Sequence, residues 1–142
     1  MFSRAPPVAR LSHRILADVE NAVRRFPRFH KFSVGADLRA AAMQVARCVH
    51  KAWRDPEQRL QRVKELCSAV DDLKISLQLA KEVKAFGSFA EFEAIAKLAN
   101  GLGQQSGGWL NSLQSKGQNG EARGPSQRAQ ILSAQVAHEA RV

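Results

Sequence analysis

The side chains in this sequence with the clearest capacity for chemistry are cations, and the chemistry is electrostatic. Arg24, Arg25, Arg28, Lys31, Arg39, Arg47, Lys51 and Arg54 lie in or beside the stretch FPRFHKFSVGADLRAAAMQVARCVHKAW, residues 26–53. No acid stands between Arg39 and Arg54, so ion pairs within that helix cannot neutralise its charge. A solvated helix face ordinarily mixes signs, and an unmixed one attracts polyanions, nucleic acid above all, through counterion release. In the connector 27–33, Arg28, His30 and Lys31 interleave with Phe29 and Phe32. Such rings can stack on bases. The commoner arrangement, expected here, is two aromatics plugging the end of a helical bundle.

Other chemistries lack their residues. His13, His30, His50 and His138 stand in no HxxxH, HExxH or Cys/His spacing, so no metal site is expected. Asp71 and Asp72 are adjacent, diverge by about 100° on a helix and form no carboxylate dyad. An ion pair or a partner contact suits them better. There is no P-loop and no nucleophile elbow, and the Gly101-x-Gly103 pair ends a helix instead of joining a strand to one. No catalytic residue, metal or cofactor is expected, and the chain does not read as an enzyme.

The elements that must carry the cations follow from periodicity. With 142 residues, 44% of them hydrophobic and 25% charged, the chain has the size and composition of one soluble globular domain. It contains no apolar run long enough to span a bilayer. The start, MFSRAPPVAR, has no signal-peptide core. Cys48 and Cys67 fit buried thiols in a reducing cytoplasm. The net charge of +9 is concentrated: residues 1–66 hold 14 Lys and Arg against 6 Asp and Glu, whereas residues 67–116 hold 5 against 5.

A loose leader, 1–7, precedes a first helix whose stripe is Val8, Leu11, Ile15, Val19, Ala22, Val23 and Phe26. Pro27 ends it. Ser33 is placed to cap a second helix, with Val34, Leu38, Ala41, Ala42, Val45, Cys48, Val49, Ala52 and Trp53 on one side and the cations on the other. Asp55-Pro56 marks a turn into a third helix from Glu57 to about Phe86. That helix is apolar on two sides, because Ile75, Leu79 and Val83 point away from Leu73 and Leu77. A helix of that kind needs two neighbours, and the second is expected to be another subunit. Gly87 is expected to stop it and Ser88 to cap a fourth helix. The stripe of that helix, Phe89, Phe92, Ile95, Ala96, Ala99 and Leu102, is loosened or ended by Gly101, Gly103 and Gly107-Gly108, and Trp109 caps the bundle. The fold class is all-α, an up-down four-helix bundle over 8–114 with a flexible Gln/Gly/Ala-rich tail over 115–142.

Three segments, in this order, resemble the Avd family, the accessory variability proteins of diversity-generating retroelements. They are the stretch 26–53, the run DDLKISLQLAKEVKAF from Asp71 to Phe86, and IAKLANGLGQQSGGWL from Ile95 to Leu110 with its Gly107-Gly108-Trp109 ending. The resemblance covers roughly residues 20–114. It implies a cytoplasmic, non-enzymatic partner of a reverse transcriptase, assembled as a homo-oligomeric (pentameric) barrel whose basic surface meets nucleic acid, RNA or DNA. Such a complex makes the error-prone complementary DNA that diversifies a target gene. On matching positions, the resemblance implies nucleic-acid contact by Arg28, Lys31, Arg39, Arg47, Lys51 and Arg54. Four-helix proteins encoded in ribosomal-RNA intervening sequences share the architecture, but the GGW ending and the DDLKISLQLAKE run are closer to the Avd type. An alternative of another class is a scaffold whose basic face docks an acidic protein.

Overall fold

The computed structural model describes residues 5–119, and of residues 117–119 the backbone alone. Among these residues there are five helices and no strand: α1 (Pro7–Arg24), α2 (Arg28–Lys31), α3 (Val34–Arg54), α4 (Arg59–Glu82) and α5 (Phe89–Asn119). The chain divides into two units, Met1–Leu110 and Asn111–Val142. The four long helices meet in the first of these. Of the second, the described part is the end of α5, and the rest of the expected tail lies outside the described residues.

Apolar spacing of three and four residues builds the core. Val8, Ile15, Val19 and Val23 of α1 are buried with Leu38, Val45 and Val49 of α3, with Leu66, Val70, Leu73 and Leu77 of α4, and with Phe92, Ile95 and Leu102 of α5. Each stripe buries one face of its helix, and removing that surface from water is the dominant driving term. Cross-helix contacts fix the directions. His13 meets His50 and Glu20 meets Arg39, so α1 and α3 run antiparallel. Arg25 pairs with Glu91 at the other end of α1 from the Leu11–Gly101 approach, so α5 also runs against α1. The Arg59 guanidinium donates to the carbonyls of Ala52 and Trp53, at 3.0 and 2.8 Å. It thereby satisfies two of the C-terminal carbonyls of α3 and pins the turn into α4.

The ends of the helices differ from the expectation in ways that have physical causes. Within the stretch 1–7 expected to be loose, Ala5 is buried in the core and Pro7 begins α1, while residues 1–4 lie outside the described residues. Proline suits a first helical position, where its missing N–H has no partner to lose. The Ser33 hydroxyl does not cap α3; it donates backward to the carbonyl of Phe29 at 3.2 Å. Pro56 lies before the start of α4 at Arg59, and the Asp55 side chain accepts from the Gln58 N–H at 3.2 Å.

Gly87 does not stop α4. Lys84 does, in the left-handed region at φ 59°, while the Ala85 N–H reaches back to the Ala80 carbonyl. Ser88 caps α5 as expected, accepting from the Glu91 N–H at 3.1 Å. The glycines at 101, 103, 107 and 108 neither loosen nor end α5, which continues to Asn119. Gly103 faces α4, where an added Cβ would lie 3.7 Å from Val70 and 2.8 Å from the movable Lys74 amine.

The expected aromatic plug consists of other residues. Phe26, Phe86 and Phe92 close the end of the bundle beside α2, in edge-to-face contacts with centroids 5.1 and 5.6 Å apart. Phe29 and Phe32 are exposed. At the opposite end Trp109 is half-buried against the core and lines a slot with Pro6, Pro7 and Val8.

Candidate nucleic-acid interface

α3 presents the cations because its buried stripe leaves a second stripe for solvent. Arg39, Met43, Arg47 and Lys51 recur every four residues and Arg54 follows three later, so all five share one side. Arg39, Arg47, Lys51 and Arg54 are exposed, and Met43 lies among them with 38% of its surface open. Arg39 does not act as a free charge. Its Nε donates to Glu20 Oε1 of α1 at 2.8 Å, an acid from the neighbouring helix that inspection of α3 alone could not place there. Arg25 is likewise held, donating from Nε to Glu91 at 2.9 Å. Among the described residues no carboxylate lies within 4 Å of Arg24, Arg28, Lys31, Arg47, Lys51 or Arg54.

These six form two groups. Arg24, Arg28 and Lys31 stand at the end of α1 and in α2. Arg47, Lys51 and Arg54 stand at the other end of α3, which at 21 residues is about 30 Å long. Lys51 and Arg54 line an open pocket of about 320 Å³ together with His50, Asp55 and Arg62. Nothing in the sequence marks Arg62 for this site, because it belongs to α4 and reaches the pocket only through the turn at 55–58. It lies 3.5 Å from Asp55 and 3.5 Å from Glu65, so its charge is shared. The pocket thus has two unshared cations, one shared cation and one acid. That arrangement suits a phosphate better than a neutral ligand.

His50 links this pocket to α1. Its Nε2 lies 2.8 Å from His13 Nε2 with the rings stacked, centroids 5.0 Å apart. One imidazole must donate and the other accept. Burial pushes the His50 pKa below the ordinary imidazole value, and the neighbouring His13 and Arg54 push it in the same direction. Burial also raises the thiols of Cys48 and Cys67, with Glu65 and Asp71 contributing respectively. Both thiols are free. Among the described residues no three His, Cys, Asp or Glu side chains come together as a metal site, and no helix is long and apolar enough to cross a membrane.

A different surface lies on α4. Ile75, Leu79 and Val83 are 57%, 55% and 43% exposed, spaced four residues apart and flanked by the acids Asp71, Asp72 and Glu82. These are the residues expected to face a second subunit. No model of a known protein family matches the chain, and no curated protein matches it.

Proposed function

We propose that this protein is a non-enzymatic nucleic-acid-binding bundle, acting as an accessory of a retroelement reverse transcriptase. The observation that supports the binding role is the row Arg47, Lys51 and Arg54, exposed on one helix face with no carboxylate within 4 Å among the described residues. Like charges so placed repel one another, and a polyanion relieves that repulsion while releasing its own counterions. The retroelement setting is supported by the ordered resemblance of residues 26–53, 71–86 and 95–110 to the Avd family. In that setting the bound strand is the repeat RNA or its complementary DNA, and the partner enzyme is the reverse transcriptase.

The exposed α4 stripe supports a further part of the same proposal. Three apolar side chains on one outward face are covered when copies of the chain associate, and the resemblance gives five copies.

Charge reversal tests the binding role. Arg47→Glu, Lys51→Glu and Arg54→Glu together should sharply weaken retention of duplex RNA and DNA while the circular-dichroism melting curve stays in place. Unchanged retention by the folded triple variant would instead assign this face to an acidic protein. Coexpression with a reverse transcriptase encoded beside the gene tests the setting: co-purification supports it, and its absence removes the retroelement part alone.

A further inference from the structure

We propose that α2 is a stacking platform for unpaired nucleic acid, on which Phe29 and Phe32 receive bases while Arg24, Arg28 and Lys31 hold the flanking phosphates. This rests on the nucleic-acid role above and narrows it, at this end of the molecule, to single strands.

Phe29 is 75% and Phe32 79% exposed, more than any other large apolar side chain among the described residues. They are not surplus core. That end of the bundle is already closed by Phe26, Phe86 and Phe92. The backbone beneath the rings is fixed. Pro27 precedes the turn, the His30 N–H returns to the Pro27 carbonyl at 2.8 Å, and the Ser33 hydroxyl bonds the Phe29 carbonyl. Phe29 also leans on the His30 ring, with centroids 4.1 Å apart.

The surroundings determine what the rings can receive. Arg24, Arg28 and Lys31 have no carboxylate within 4 Å among the described residues, so the rim is positive and favours an anion. The occupant must therefore offer flat apolar faces and negative charge together, which a nucleotide chain does. Base–aromatic stacking tolerates any sequence, because every base has a π-face. In a duplex those faces are covered by neighbouring base pairs. An unpaired strand leaves them available.

The competing occupant is a second copy of this chain, whose Ile75, Leu79 and Val83 with their acidic flank would also match an apolar, basic patch. Replacing phenyl by leucine separates the two, since leucine keeps apolar area and removes the aromatic face. The full chain carrying Phe29→Leu and Phe32→Leu is titrated by fluorescence anisotropy against a labelled single strand of about 12 nucleotides, within the span such grooves hold, and against the same sequence as a duplex. Binding of the single strand should fall by about tenfold or more, the loss expected of removed stacking. Duplex binding should stay within about twofold, carried by Arg47, Lys51 and Arg54. Phe29→Trp with Phe32→Trp should restore the single-strand affinity. Light scattering on the leucine variant should show an unchanged molar mass. Undiminished single-strand binding by the leucine variant would overturn the platform and leave the nucleic-acid role standing. A leucine variant that loses molar mass but keeps its single-strand affinity would overturn it too, assigning the patch to a second copy. Failure of the unaltered protein to bind either probe would overturn the nucleic-acid role, and the platform with it.

Discussion

α3 and α4 lie side by side in the bundle, and their outward faces carry opposite chemistry. On α3 the exposed stripe is Arg39, Met43, Arg47, Lys51 and Arg54; on α4 it is Ile75, Leu79 and Val83 between Asp71, Asp72 and Glu82. The first has charge and little apolar surface, the second apolar surface and acids. What separates them further is neutralisation. Glu20 on α1 reaches Arg39 but no acid among the described residues reaches Arg47, Lys51 or Arg54, so the α3 face is basic at one end and balanced at the other. The charge of a surface is thus set by the neighbouring helix as much as by its own residues. It follows that the two faces should respond to different perturbations, and each response can be measured.

The largest effect should come from the α4 face. Ile75→Lys with Leu79→Lys should reduce the assembly to single chains in light scattering, because two charges would have to be buried at the contact. Thermal stability of the single chain should change by no more than about 0.5 kcal/mol, since both positions are exposed in it. A single-chain mass for the unaltered protein would instead remove the assembly from the account.

Gly35→Ala should come next. A Cβ there would stand 2.9 Å from Val23 Cγ1 and 3.0 Å from the His30 carbonyl oxygen, where α3 starts against α1 and α2. Overpacking of this kind costs about 1–3 kcal/mol, read as a lower denaturant midpoint. Because it touches neither outward face, both duplex binding and assembly should survive wherever the protein remains folded.

A smaller contrast lies within the α3 face. Arg47→Ala should weaken nucleic-acid binding several-fold, whereas Arg39→Ala should weaken it less, because Glu20 already engages the Arg39 guanidinium. Equal losses would show that the ion pair opens on binding.

The smallest effect concerns pH. The folded pKa of His50 lies below its ordinary value of 6.5, so the folded state disfavours the charged ring. The unfolded chain then binds the extra proton, and its contribution to stability is whole above about pH 6.5 and lost as pH falls towards the folded pKa. The melting temperature should decline as the pH is lowered from neutral through that range, and His50→Gln should flatten the decline. A melting temperature that rises on acidification would contradict the assigned direction.

Most of the helices are legible in the sequence because apolar residues recurring every three to four positions match the period of a helix and not that of a strand. The stripes of α1, α3, α4 and α5, the stop at Pro27 and the cap at Ser88 follow from local rules, except that Phe89, expected in the α5 stripe, is 63% exposed. What is not legible depends on contacts distant in the chain. Gly103 reads as a helix breaker when Lys74 and Val70 of α4, which stand beside it, are not in view. Phe29 and Phe32 read as a plug because nothing local shows that Phe26, Phe86 and Phe92 already fill that place. The stop of α4 at Lys84 has no glycine to mark it. For the site, the residue types can be read from the sequence, but the division of the cations into two groups and the arrival of Arg62 at the pocket require the turn at 55–58.

The central claim is that Arg47, Lys51 and Arg54 meet phosphates, and the salt dependence of binding tests it most directly. For three phosphates on duplex DNA, the slope of log affinity against log salt attributable to these side chains is about −2.7, or about 40-fold between roughly 50 and 200 mM. Measured on the unaltered protein and on the variant with all three replaced by alanine, the slopes should differ by about that amount. Equal slopes for the two folded proteins would contradict the assignment of this face to nucleic acid.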